Sequence, residues 1–354
     1  MHQTKRPVRT AARLALATGL AVTGTLFAPV GPAAHAAAPA ATVLPLERAH
    51  DVAAVRDRVF VSGGSTSTSV VVTSATGAVT GTIGGLPGPT DLLVSNDQST
   101  LYVALPNANQ IVAFDTGSLV ESARYSTGAG ACPSSLALAG RRLYFGYGCD
   151  QWGGNIGVVD LSRQPAVVST GLATEDFYDH PILATTAGAP SVLAAGQPGL
   201  SPAAVSIYAV GTGGALTFQR RTAHTAAGSN LRDVALSRDG STVYLAQGAP
   251  YGIQAFDVAD LNQQSRFFPT TAYPNAVEVS RDGTRIAAGS DATYDPDVFF
   301  LRLPDGIPDA SVELGENLVA GALAWAPGGG RLYAVSQHWS AGAPTLHVLP
   351  APAA

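Results

Sequence analysis

Charge is scarce in this chain: Asp, Glu, Lys and Arg make up 13% of its 354 residues, and aromatic residues only 7%. It has one lysine, Lys5, one methionine, Met1, and two cysteines. With lysine confined to the extreme amino terminus, Schiff-base chemistry and a phosphate-cradling P-loop lysine are excluded from the rest of the chain. No Gly-x-Ser-x-Gly elbow marks a serine nucleophile, and no His-x-Glu or His-Glu-x-x-His pattern marks a zinc site. Only one long apolar run occurs, Leu14 to Phe27, and it is shorter than the roughly 20 residues that span a bilayer. An apolar content of 46% excludes a disordered tail, so the absences describe a folded protein without an obvious cofactor, metal or catalytic signature.

The apolar run has a purpose of its own. It follows Lys5, Arg6, Arg9 and Arg13 and leads into small residues ending Ala34-His35-Ala36, the order of a secretory signal peptide. Cleavage is expected after Ala36, giving a secreted, extracellular domain over residues 37–354 without membrane insertion. Removing four of the 20 basic residues and none of the 25 acidic ones leaves 16 − 25, a formal charge of −9. That surface repels phosphate backbones, so no nucleic-acid partner is expected.

What remains is repetitive. A phrase of short strand, turn, strand rich in Tyr, Val and Leu, polar loop and third strand recurs seven times, beginning near residues 51, 91, 135, 182, 233, 276 and 322. The clearest copies are Asp91-Leu-Leu-Val-Ser-Asn-Asp-Gln, Asp233-Val-Ala-Leu-Ser-Arg-Asp-Gly and Ala276-Val-Glu-Val-Ser-Arg-Asp-Gly. Asp-Gly between alternating apolar runs signals a hairpin. A period in the forties with strand patterning throughout implies an all-β fold, a seven-bladed β-propeller of four-stranded antiparallel blades. The seventh copy lacks a fourth strand, and a spare strand at Thr42 to Glu47 is expected to complete it and close the ring. That closure leaves no terminal blade open to aggregation, and a monomer is expected.

These phrases resemble the YVTN or YncE-like propellers, relatives in build of the WD-repeat proteins. The resemblance rests on Ser237-Arg-Asp-Gly, Val243-Tyr-Leu-Ala, Ser280-Arg-Asp-Gly, Leu101-Tyr-Val-Ala and third strands closing on Asp115, Asp160 and Asp257. It covers nearly all of residues 42–349. It implies the architecture and little about activity, since such propellers include binding proteins and, in neighbouring groups, lactonases and lyases.

Cys132 and Cys149 lie equally far from the turn at Gly140 and Arg141, hence opposite each other across a hairpin. A disulfide is the natural reading in an exported protein, with a metal pair or free thiols as the alternatives.

Whatever recurs at the blade period serves the blade, and whatever breaks it needs another reason. Asp51, Asp91 and Asp233 recur at the head of first strands and are read as structural, as are the tyrosines of second strands. The loops between second and third strands, with those leading into each blade, share one face, and there the copies diverge. They supply Asp150, Trp152, Tyr178, Asp179, His180, Tyr251, Tyr294, Asp295, His338 and Trp339, an aromatic and acidic rim read as a ligand-binding surface. Asp291, Asp295 and Asp297 have oxygens at a spacing compatible with calcium, without the closing Glu of an EF-type loop, and a solvated acidic turn is the simpler reading. No catalytic residue, metal or cofactor is assigned. The expectation is a non-enzymatic propeller that binds a protein partner or a small polar ligand on this face. The alternative is a lactonase-like hydrolase or lyase, which requires His180 or His338 within hydrogen-bonding reach of a carboxylate at the channel mouth.

Overall fold

Short alternating segments punctuated by Gly, Asp and Ser turns fold here as strands. The computed structural model describes residues 40–223, 226–340 and 342–353. The expected signal peptide, residues 1–36, and His224 lie outside the described residues. The described residues form seven four-stranded antiparallel sheets. Six are continuous in sequence, each with its first strand innermost and its fourth outermost; blade 2, for example, runs Leu92–Val94, Thr100–Leu105, Gln110–Asp115 and Glu121–Ser126.

The seventh sheet closes the ring. Its strands Leu318–Trp325, Arg331–Ser336 and Thr345–Pro350 are completed by Ala40–Val43, which pairs antiparallel with the last of them, Ala40 opposite Val348 and Val43 opposite Thr345. This closing strand starts two residues before the expected Thr42 and ends at Val43 rather than Glu47. Pro45 has no N–H to donate to a ladder, and Leu44 instead bonds Pro344 from outside the strand. First strands also begin earlier than the repeat phrase places them, at Pro133, Ser229, Pro274 and Leu318. A bulge in each of these strands breaks the alternation on which that reading relies.

Seven apolar cores lie between neighbouring blades. Each second strand is buried on both faces, so its residues alternate between two cores: Leu101, Val103 and Leu105 pack toward blade 1, while Tyr102 and Ala104 pack toward blade 3. The last core joins blade 7 to blade 1, with Tyr333, Val335 and Leu346 against Val52, Val59 and Val61, and Leu44 and Leu46 from the closing segment. The second-strand residues Phe60, Tyr144, Leu193, Tyr244 and Ala287 are buried in the same way.

The repeated motifs have local causes. In Ser237-Arg-Asp-Gly, the Asp239 carboxylate accepts the Ser237 and Ser241 hydroxyls and the Ser241 N–H, and these bonds hold its pKa down to about 2. Asp97 and Asp282 repeat the arrangement. Asp115, Asp160 and Asp257 close third strands by accepting turn N–H groups from Ser118, Ser162 and Ala259. Cys132 and Cys149 are disulfide-bonded with Cα atoms 5.2 Å apart, fastening the segment before the first strand of blade 3 to the loop after its second.

Candidate functional site

The innermost strands of all seven blades line a central channel of about 720 Å³. The volume is within the usual range for small-molecule sites. Its charged lining is unequal along the axis. At the end where the lead-in loops open, His50, Asp51, Asp91, His180, Arg232 and Asp233 line it, and Glu278 lies deeper; Arg238 and Arg281 stand at the opposite end.

Three of these carboxylates hold the ring together, as their recurrence implied. Asp51 accepts the N–H of its neighbour Val52 and that of Leu92 in the next blade, both at 2.7 Å. Asp233 does the same with Val234 and Val277, at 2.8 Å each, and Asp91 accepts the N–H of Leu136. Recurrence pointed to a structural role, and the fold adds that each reaches across to the next blade.

Glu278 has no such duty. Its carboxylate has no hydrogen-bond partner among the described residues, while its backbone carbonyl accepts the Trp325 indole N–H at 3.2 Å. Burial, reinforced by the charges of Asp233 and Asp91, pushes its pKa up to about 8. Burial likewise raises Asp233 to about 7 and lifts Asp51 and Asp91, with Asp51 sharing a hydrogen bond with Asp91. His50 moves the other way, because the protein crowded around its ring, which is itself exposed, disfavours the imidazolium more than Asp91 favours it. The lead-in end therefore concentrates carboxyl groups whose charge is expensive without a bound cation.

Glu278 was legible and was missed. In the aligned copies its position is Ala53, Leu93, Ala137 and Ala235, so it is the one charge at an otherwise apolar repeat position, two residues or about 6.6 Å along the strand from the level of Asp233. Its signal is a break in the repeat period carried by a first strand and not by a loop.

Of the ten rim residues, His180 alone lines the channel cavity. Blades 3 and 4 bring half of them together. The Trp152 N–H donates to the Tyr178 carbonyl at 2.7 Å, and the two rings meet edge to face with centroids 5.1 Å apart. Gly154 lets this loop press onto the segment before blade 4, where an added Cβ would sit 2.1 Å from the Asp179 carbonyl oxygen. Asp179 accepts the His180 N–H and pairs with His180 Nδ1 at 2.8 Å. Asp150, in the same loop, is exposed.

The remaining rim residues occupy other blades. Tyr251 packs edge to face on Tyr273 at 5.4 Å, and His338 stacks on Trp339, which is 76% exposed. Tyr294 and Asp295 stand free on the loop of blade 6, where Tyr294 is 93% exposed. Asp297, by contrast, is buried and caps the Leu314 N–H at 2.8 Å, and Asp291 pairs with Asn317. Among the described residues no three His, Cys, Asp or Glu side chains are placed to hold a metal ion.

No family model matches this chain, and no curated protein matches its sequence.

Proposed function

We propose that the protein is a secreted, non-enzymatic binding propeller that takes a small polar ligand with a cationic group at the lead-in mouth of its channel. The single observation that carries this is Glu278, a carboxylate without a hydrogen-bond partner among the described residues, which lines a cavity of ligand size within reach of the charges of Asp91 and Asp233. Arg232 lines the same cavity but makes no ion pair with Glu278, and a bound ammonium or guanidinium group supplies that counter-charge. The edge-to-face pair Trp152–Tyr178 beside the mouth offers apolar and cation–π contact for the rest of the ligand. Export rests on the amino-terminal pattern and suits a chain whose two cysteines are bonded to each other. Kinship with the YVTN or YncE-like propellers is supported by the repeated Ser-x-Asp-Gly turns alone.

The test is calorimetry and thermal shift on the mature protein against small amines, guanidinium compounds and amino sugars. Selective binding is expected to raise Tm and to be lost in Glu278→Gln, with Trp152→Ala, Trp339→Ala weakening it. Binding that is unchanged in Glu278→Gln, or no selective response, rejects the reading.

One observation favours a second reading. His180, paired with Asp179 at 2.8 Å and facing the channel, satisfies the geometric condition for general acid–base work in a hydrolase or lyase. Turnover of a lactone panel that disappears in His180→Gln would establish it; no turnover by the wild type would dismiss it.

A further inference from the structure

We propose that the face of the ring opposite the lead-in loops carries an oxyanion-binding site formed by Arg56, Arg281 and Arg331. Arg56 and Arg281 sit in the turns between the first and second strands of blades 1 and 6, and Arg331 opens the second strand of blade 7. The three line one cavity of about 640 Å³, together with Gln98, Tyr333 and the glycine-rich turn of blade 7.

No carboxylate lines this cavity. Six of the sixteen described arginines, Arg58, Arg124, Arg142, Arg163, Arg285 and Arg302, lie within ion-pair distance of Asp or Glu, and the three around this cavity are among those that do not. The acids nearest in sequence are engaged elsewhere. Asp282 is taken up by Ser280 and Thr284, and Asp57 lies 3.9 Å from Arg58. Arg281 donates one N–H to the Asn96 carbonyl at 2.9 Å, and Arg331 one to the Ala75 carbonyl at 3.3 Å. Each guanidinium has five donors, so most remain free, and the Arg56 side chain has no hydrogen bond among the described residues. Three unneutralised guanidinium groups around one hollow repel one another, and an anion removes that repulsion while accepting charge-assisted hydrogen bonds.

The glycine run gives a second, independent sign. Gly329 adopts φ +70, which the turn requires. Gly328 and Gly330 do not have positive φ, and a Cβ at either would meet nothing within 4 Å. Neither conformation nor packing demands glycine there, yet both line the cavity and leave it open. The ligand class is a phosphate, sulfate or carboxylate group, and the cavity is larger than one such group, so the natural ligand carries it on a bigger body. Arg281 lines the channel as well, so the two hollows adjoin. The site does not depend on the reading of the lead-in face.

The test is titration of the mature protein with inorganic phosphate, sulfate, acetate and citrate, each against sodium chloride at matched ionic strength. At least one oxyanion is expected to raise Tm where chloride does not, and the pattern among the four identifies the group. Arg281→Gln, Arg331→Gln should weaken that oxyanion about tenfold or more. Gly330→Glu, which keeps all three arginines and enters open space, should also abolish the response by supplying an internal counter-ion. The proposal is overturned if no oxyanion exceeds chloride, or if the response persists in Gly330→Glu or in the double variant.

Discussion

Asp51 and Leu92 belong to different blades, and one carboxylate joins them: Asp51 Oδ2 accepts the Leu92 N–H at 2.7 Å while Oδ1 holds Val52 at the same distance. Comparable stitches run from Asp91 to Leu136, Ser135 to Pro181, Asp233 to Val277 and Asn275 to Leu318. The apolar cores between blades are non-directional, and these bonds fix how each inner strand is set against the next.

Asp51→Ala strands two N–H groups at a blade junction. It should cost about 3 kcal/mol in urea unfolding, and Asp51→Asn, which keeps one acceptor, about half of that. Equal and negligible losses in both variants would show that water replaces the carboxylate.

Deleting residues 37–48 removes the closing strand together with Leu44 and Leu46 from the core between blades 7 and 1. Two lost leucines alone are worth roughly 5 kcal/mol, comparable with the whole stability of many domains. The deleted protein should therefore be largely unfolded or associate through its open edge, as read by circular dichroism and light scattering. Removing the residues after Pro350 should leave Tm nearly unchanged.

Glu278 has a pKa near 8 in the fold against an ordinary value of 4.5, so the folded state binds a proton that the unfolded chain releases. Its contribution to stability is complete below about pH 4.5 and is lost as pH rises through 8. Asp233, near 7, acts in the same direction, and His50, depressed, in the opposite one at lower pH. Subtracting the stability–pH curve of Glu278→Gln from that of the wild type isolates the first effect, and the difference should fall between pH 5 and 9. A cationic ligand, which needs the ionised carboxylate, should bind more tightly across the same rise.

Reducing the Cys132–Cys149 bridge opens a loop of 17 residues and should cost about 3 kcal/mol. Denatured, unreduced protein should show no titratable thiol. Because Cys149 leads directly into the Trp152 loop, reduction is also expected to change the fluorescence of the exposed Trp152 packed on Tyr178.

The architecture was readable because a propeller repeats one local pattern seven times. Alternation, Asp-Gly turns and Tyr-rich second strands each act within about 15 residues, so the copies at 91, 233 and 276 fixed the blade before any contact was known. The bridge between Cys132 and Cys149 followed for the same reason, since a hairpin turns sequence spacing into adjacency. Limits appeared where one residue alters a ladder: Pro45 ended the closing strand early, and four bulges shifted first-strand starts.

The site depended on what the ring brings together. Arg56 and Arg281 stand 225 positions apart in the chain and line one hollow only because blade 7 closes onto blade 1. Asp91, Asp233 and Glu278 meet only because their strands face a common axis. Local chemistry determined the blades, but charge acts through space, and closure of the ring decided which carboxylates share a channel and which arginines lack a partner.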